Sequence, residues 1–220
     1  MPTIKDLKIL VHQSGKKLLD LGLVSGTWGN ISVRAEDRRM VITPSGRKYE
    51  EVEPEEMVLV NIENLNFEGS VKPSSELKLH AEIYRTRPDV NAVIHTHQMN
   101  ASTVAAARRE LPPILDDMAQ LLGPTVRVAD YALPNSKKIV KATIKALKGR
   151  NAALLANHGA VVVGRDMEEA FWGCQVLEKA CKAFIEAEFL GGAKGINKFE
   201  AHIMHQYYLI KYSKEKKKNK

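Results

Sequence analysis

Apolar residues recur at helical spacing from the start of the chain. Ile4, Leu7, Leu10, Val11, Leu18 and Leu21 share one helical face, and Gly22 follows as a stop. The short apolar runs at 30–34 and 40–43 predict strands joined by the charged turn 35–39. Pro44-Ser45-Gly46 is a turn, 57–62 reads as a strand, and Pro73-Ser74-Ser75-Glu76 precedes a helical pattern that ends at Pro88. Residues 91–97 predict a strand and 101–108 a helix. Pro112, Pro113 and Pro124 break residues 110–130 into short pieces. An amphipathic helix is expected over 135–147, with Asn135 or Ser136 as N-cap and Gly149 as stop. Strands over 152–156 and 160–163 flank Asn157-His158-Gly159. A long helix over 166–190 is broken by Gly191-Gly192, and a last helix is expected over 197–212 on Phe199, Ile203, Tyr207 and Ile210.

Helices and strands interleave with no repeat and no linker, which predicts one α/β domain with both antiparallel and parallel pairing. The 220 residues suffice for a sizeable core, and 44% hydrophobic with 27% charged residues is a globular composition. The net charge of +7 invites a nucleic-acid reading, but six lysines and one glutamate in residues 211–220 account for +5 of it. The expectation is a domain over 1–212 with a disordered Lys-rich tail over 213–220, and no nucleic-acid partner. Cys174 and Cys181 lie two helical turns apart, too far for a disulfide, which fits a reducing compartment. The N-terminus has no apolar signal-peptide core, and the least charged run, 91–107, carries two histidines and several amides and hydroxyls. The expectation is a cytoplasmic protein with no membrane partner.

The candidate chemistry begins at His95-Thr96-His97, at the end of an apolar strand. Alternating side chains put residues 95 and 97 on one face about 6.6 Å apart, a spacing that suits two imidazoles converging on an ion. Taken alone, the pair reads more readily as two solvent-facing strand histidines. His158, at a strand-edge turn, adds a third imidazole, and three histidines leave a coordination position open, as in catalytic metal sites. Glu76 follows Ser74 and Ser75 at a helix start, which reads as a cap with acid in the first turn, or as an anion site with a carboxylate beside a metal. His80 lies one turn later and is either packed or a support for the site. Gly26-Thr27-Trp28-Gly29-Asn30 and Thr43-Pro44-Ser45-Gly46 are two more small, hydroxyl-rich turns of the kind that bind phosphate oxygens.

Together these pieces resemble the class II aldolase/adducin-type family, through GTWGNISVR (26–34), ITPSG (42–46), KPSSELKLH (72–80), RPDVNAVIHTH (87–97) and ANHGAVVVG (156–164). The resemblance implies a single three-layer domain with a mixed, mostly antiparallel sheet flanked by helices. It implies a homotetramer with active sites at subunit interfaces. His95, His97 and His158 would hold one Zn²⁺ per subunit. Glu76 would be the catalytic acid/base and a further ligand when no substrate is present. Gly29, Asn30, Ser45, Gly46, Ser74 and Ser75 would bind the substrate phosphate. The implied reaction is reversible cleavage of a ketose 1-phosphate, of the L-fuculose 1-phosphate type, to dihydroxyacetone phosphate and L-lactaldehyde.

The chain departs from the family pattern in one place. A family Tyr some 20 residues after the metal strand is absent from Leu115-Asp116-Asp117-Met118, which leaves Asp116, Asp117 or water for protonation of the aldehyde oxygen. A second family Tyr near the C-terminus corresponds to Tyr207, Tyr208 or Tyr212, with Tyr212 favoured as catalytic. Relatives on the same fold include L-ribulose-5-phosphate 4-epimerases, methylthioribulose phosphate dehydratases and non-catalytic adducin-like heads. Epimerases carry Asp where this chain has Glu76, and adducin-like heads are expected to lose the histidines that this chain retains.

Overall fold

The computed structural model describes residues 2–218, with side chains as far as Lys211. Its elements are α1 (Ile4–Asp20), β1 (Asn30–Ala35), β2 (Arg39–Ile42), a 3₁₀ turn (Pro54–Glu56), β3 (Val58–Asn61), α2 (Leu77–Thr86), β4 (Ala92–Thr96), α3 (Met99–Ala106), α4 (Asp116–Leu122), β5 (Arg127–Ala129), α5 (Lys137–Leu147), β6 (Ala152–Leu155), β7 (Gly159–Gly164), α6 (Met167–Phe189) and α7 (Lys198–Lys218). The strands form one sheet in the order β3-β2-β1-β4-β7-β6-β5. Its pairs are antiparallel except β5 with β6.

Both faces of the sheet are covered, so its strands read as apolar runs while their side chains still alternate between two cores. Ile31, Val33, Val41, Ile94, Leu154 and Val162 face one core with Leu7, Val11 and Phe171. Met40, Ile42, Val93, Val161 and Val163 face the other with Leu79, Ile83 and Leu147. The helices therefore lie in two layers, with α1, α3, α4 and α6 on one side and α2 and α5 on the other.

Capping sets the helix ends where the sequence places them. Thr3 and Asp6 close a capping box on α1, Ser136 accepts from Ile139 N–H, and Asp166 accepts from Glu169 N–H. The C-terminal end of α2 is held from outside, because the Arg34 guanidinium donates to the carbonyls of Tyr84, Arg87 and Val90. Cys174 and Cys181 are buried and free, as their spacing requires.

The structure settles two details that the sequence left open and extends one element. Residues 110–130 contain α4 and β5, whose seven and three residues are too few to establish a period. Ser136, not Asn135, caps α5, and Asn135 adopts a left-handed backbone at φ 63°. Helix α7 continues to Lys218, past its last apolar position, consistent with the helix propensity of Lys and Glu. The tail expected to be disordered from 213 falls on residues whose side chains, with all of 219 and 220, lie outside the described residues.

Phe171 on α6 is buried at the centre of the first core, with Lys17 stacked 4.5 Å from its ring. Phe171→Ala should destabilise the protein by about 3–5 kcal/mol through lost transfer energy and a residual cavity. Chemical denaturation of the two proteins measures this directly, and a loss under about 1 kcal/mol would contradict the packing described here.

Candidate active site

The site forms where the ends of β4 and β1 and the β6–β7 turn meet the start of α2. Antiparallel pairing of β1 with β4 sets Asn30 opposite His95, and β4 with β7 sets His95 opposite Val161. Residues 93, 95 and 97 share the face toward α2, so both strand histidines point the same way. His158 enters from the turn before β7, where Asn157 takes a left-handed conformation at φ 55°. Gly159 brings β7 against β4. A Cβ there would lie 2.3 Å from the Thr96 carbonyl oxygen. Gly29, at φ +80°, brings the preceding loop equally close, since a Cβ would lie 2.8 Å from the His95 carbonyl oxygen.

Ligand nitrogens of His95, His97 and His158 lie within 4.8 Å of one another. His95 and His97 approach through their Nε2 atoms at 2.9 Å. Glu76 Oε2 lies 3.1 Å from His95 Nε2, and Oε1 lies 3.9 Å from His158 Nε2. A tetrahedral site with ligands at about 2.0–2.1 Å has ligand-to-ligand edges of about 3.4 Å, so this donor set has the right size for a small divalent ion. His95 is fully buried and its Nδ1 donates to the Ala160 carbonyl at 2.9 Å, which leaves the Nε2 lone pair facing the cluster. The three imidazoles and the adjacent carboxylate therefore fit a metal.

A cleft of about 280 Å³ opens over this cluster. Gly29, Asn30, Ser45, Gly46, Ser74, Ser75, Glu76, His97 and His158, all singled out in the sequence, line it. Two of its loops are tied together, since Ser45 N–H donates to Lys72 O and Ser74 N–H to Thr43 O, both at 2.9 Å. The N-terminus of α2 opens onto the cleft, where helix N–H groups favour an anion. Tyr49 supports the glycine loop, its hydroxyl donating to Gly29 O at 3.0 Å.

Thr27, Trp28, Pro134 and Asn135 also line the cleft. The Trp28 ring stacks 5.7 Å from the His97 ring. The turn-forming pair Pro134-Asn135 is the local sequence signal for the place of Asn135 here. Glu76 does not cap α2 with its side chain. It occupies the N-cap position itself, Ser74 Oγ accepts from its N–H, and its carboxylate turns into the cluster. Asn30 is less available to a phosphate than its position suggests. Its side-chain N–H donates to Glu76 Oε2 at 2.8 Å and its Oδ1 accepts from His80 at 2.5 Å.

Asp116, Asp117, Tyr207 and Tyr208 are not brought into this cleft. Asp116 and Asp117 open α4 in the opposite helix layer, where Asp117 pairs with Lys179. Tyr207 is exposed and Tyr208 packs beside Arg165 on α7. The side chain of Tyr212 lies outside the described residues.

Burial raises the Glu76 carboxyl, but His95, the Asn30 amide, His158 and His80 outweigh it and hold the group below the usual carboxylate range. Burial and the neighbouring imidazoles push His97 down to about 4 and push His158 down as well. Both therefore offer neutral imidazoles at neutral pH. His80 is fully buried behind Asn30, and burial pushes it down to about 3.

Residues 10–185 match the class II aldolase and adducin N-terminal domain. A 5-deoxy-D-ribulose 1-phosphate aldolase of Bacillus thuringiensis serovar kurstaki is 37% identical over 82% of this chain and 84% of its own. A 5-methylthioribulose-1-phosphate/5-deoxyribulose-1-phosphate aldolase of Rhodospirillum rubrum is 36% identical over 71% of this chain and 70% of its own. The solved structure of an L-fuculose 1-phosphate aldolase superposes with a TM-score of 0.89 at 36% identity, over 92% of this chain and 96% of its own.

The His80 shift has a consequence for stability. Its folded value lies below the ordinary 6.5, so between about pH 6.5 and 3 the unfolded chain binds a proton that the folded chain refuses. Stability on this account is level above about pH 7 and falls as pH drops through that window, by up to about 1.4 kcal/mol per pH unit. Chemical denaturation from pH 7 to 4 should show a shallower pH dependence for His80→Gln than for the wild type. Equal slopes would mean that His80 is not held neutral in the folded state.

Proposed function

We propose a reaction for a chain that belongs to the class II aldolase and adducin N-terminal domain family: metal-dependent cleavage of a ketose 1-phosphate to dihydroxyacetone phosphate and an aldehyde. The observation that carries this reading is the Glu76 carboxylate, 3.1 Å from His95 in a three-imidazole cluster, at the floor of a cleft rimmed by small turns and a helix N-terminus.

In this reading His95, His97 and His158 hold one Zn²⁺ per subunit, with Glu76 as a further ligand before substrate enters. Three imidazole nitrogens with an open position suit zinc. A bound divalent cation supplies a Lewis acid for the negative charge that develops on the C2 oxygen as C3–C4 breaks. Gly29, Ser45, Gly46, Ser74 and Ser75 bind the phosphate through small side chains and backbone at the start of α2, and Asn30 borders the same pocket. As C3–C4 breaks, the C4 hydroxyl becomes the aldehyde and gives up its proton. The ionised Glu76 takes that proton up, directly or through water, and delivers it to C3 of the dihydroxyacetone phosphate half, and in synthesis it removes the C3 proton. Its low pKa and its place beside the imidazoles support a group that is ionised before substrate enters.

The aldehyde half separates the two relatives' substrates. Cleavage between C3 and C4 of L-fuculose 1-phosphate leaves L-lactaldehyde, and the same cleavage of 5-deoxyribulose 1-phosphate leaves acetaldehyde. L-Fuculose 1-phosphate is the first reading, supported by the structural likeness over 92% of the chain. 5-Deoxyribulose 1-phosphate is the second, supported by the relative at 37% identity. A homotetramer with sites at subunit interfaces fits the apolar positions left exposed along α7, Phe199, Ile203, Tyr207 and Ile210. In such a ring Tyr212 of one subunit would serve a neighbour's site. Two free cysteines fit a cytoplasmic location, and among the described residues no helix is long and apolar enough to cross a membrane.

Purified protein supplied with a divalent metal should release dihydroxyacetone phosphate from both ketose 1-phosphates, with the faster substrate identifying the aldehyde half. Interconversion of pentulose 5-phosphates without any dihydroxyacetone phosphate would replace the aldolase reading with the epimerase one. Glu76→Gln should retain fold and metal but lose about 10²–10⁴-fold in turnover. Near-normal cleavage by that variant would remove Glu76 from the chemistry. His97→Ala should lose both metal and activity, and full metal occupancy by elemental analysis would exclude His97 as an essential ligand.

A further inference from the structure

Behind Glu76 a line of polar side chains runs into the apolar core between the sheet and α2. Asn30 Nδ2 lies 2.8 Å from Glu76 Oε2, and Asn30 Oδ1 lies 2.5 Å from His80 Nε2. His80 Nδ1 lies 2.6 Å from Ser32 Oγ, and Ser32 Oγ lies 2.8 Å from the Tyr84 hydroxyl. All five residues are buried, and Ser32 and His80 are wholly so. A buried polar group without a partner costs about 1–3 kcal/mol, so such a line persists only when each member is satisfied.

The line arises from the match of two periods. Glu76, His80 and Tyr84 repeat every four residues on one face of α2, a rise of about 6.0 Å. Asn30 and Ser32 repeat every two residues on one face of β1, about 6.8 Å apart. With nearly equal steps, strand and helix side chains interleave in the order Glu76, Asn30, His80, Ser32, Tyr84.

Chemistry then gives the line one direction. An ionised Glu76 carboxylate can only accept, so Asn30 must turn its amide N–H toward it. The Asn30 oxygen then accepts from His80 Nε2–H. A neutral His80 protonated at Nε2 has an acceptor at Nδ1, so Ser32 O–H donates there, and the remaining Ser32 lone pair accepts the Tyr84 proton. Every donor points toward Glu76, and hydrogen bonds aligned in this way polarise one another.

We infer that His80, Ser32 and Tyr84 are positioning residues for Glu76: their hydrogen-bond chain locks the Asn30 amide so that Glu76 Oε2 stays held between Asn30 and His95 while Oε1 is left on the His158 side. The inference rests on Glu76 being the proton-transferring group of the proposed reaction. It gives the Asn30 side chain a second task beyond bordering the phosphate pocket. It also explains why a histidine is kept neutral in the core without touching the cluster or the cleft.

The test uses the metal-loaded enzyme with His80→Leu, which keeps apolar bulk, and His80→Gln, which keeps a donor where Nε2–H was. Removing an outer partner of this kind typically costs about 10–100-fold in activity. In His80→Leu, kcat should fall by that factor with KM for the ketose 1-phosphate within about twofold. A crystal structure of that variant should show Glu76 parted from Asn30. His80→Gln should restore both. If His80→Leu does not fold, Ser32→Ala takes its place, with an expected several-fold loss in kcat and the same displacement of Glu76. An undisturbed Glu76–Asn30 contact with unchanged kcat would overturn the inference. So would a fall in kcat that follows melting temperature and is not restored by His80→Gln. If the wild type cleaves no ketose 1-phosphate, the proposed reaction fails, and the position of Glu76 in the variant crystals still decides whether the chain holds it.

Discussion

His95 sits on the central strand β4 with no exposure, so both of its ring nitrogens need partners inside the protein. The register of β4 between β1 and β7 supplies them. On one side β7 presents the Ala160 carbonyl to Nδ1–H, and toward the opening the Nε2 lone pair faces His97 Nε2 at 2.9 Å, across the space that would hold a metal beside Glu76. The same register sets Asn30 opposite His95, which puts the Asn30 amide within reach of the Glu76 carboxylate. A slip of one residue would turn every side chain of β4 to the other face, exchanging the histidines for Thr96 and dismantling the cluster. Sheet pairing thus does more for the site than any single ligand.

The two-layer packing decides which side of the sheet becomes chemical. On one side long helices such as α6 cover the strands with a continuous apolar core. On the other, α2 meets the sheet with its N-terminus at the strand ends, and the turns before β1 and after β2 arrive at the same place. The cleft therefore gathers backbone N–H groups and small hydroxyl side chains beside the imidazoles and the Trp28 ring. Glycine at positions 29 and 159 lets the backbones approach closely enough for this, since any Cβ there would collide with a carbonyl of residue 95 or 96.

Polar groups on the α2 side are connected rather than scattered. The cluster, Asn30, His80, Ser32 and Tyr84 form a hydrogen-bonded path from the cleft into the core. Arg34 closes its far end by stacking 4.7 Å from the Tyr84 ring and donating to the carbonyls that end α2. The orientation of the Glu76 carboxylate thus depends on residues that never meet the substrate, which suits a group whose two oxygens have different surroundings.

By itself the sequence determined most of the secondary structure, the alternation that builds two cores, and the residue types gathered at the cleft. These are local properties, carried by periods of 2 and 3.6 and by the chemistry of Gly, Pro, Ser and Thr within a few positions. Three histidines and a glutamate placed at turns and strand ends were legible for the same reason. Helix α4 and strand β5 were not, because seven and three residues repeat the periods of 3.6 and 2 fewer than two times, too few for the pattern to stand out. Tertiary structure alone decided that the Trp28 ring lies against His97, that Asp116 and Asp117 lie in the other layer, and that the Asn30 side chain serves Glu76 46 residues away. It also decided that His80 is neither surface nor ligand but the centre of a buried chain. Contacts of this length follow from the register of the whole sheet and the seating of α2 upon it, and no short window of residues contains that information.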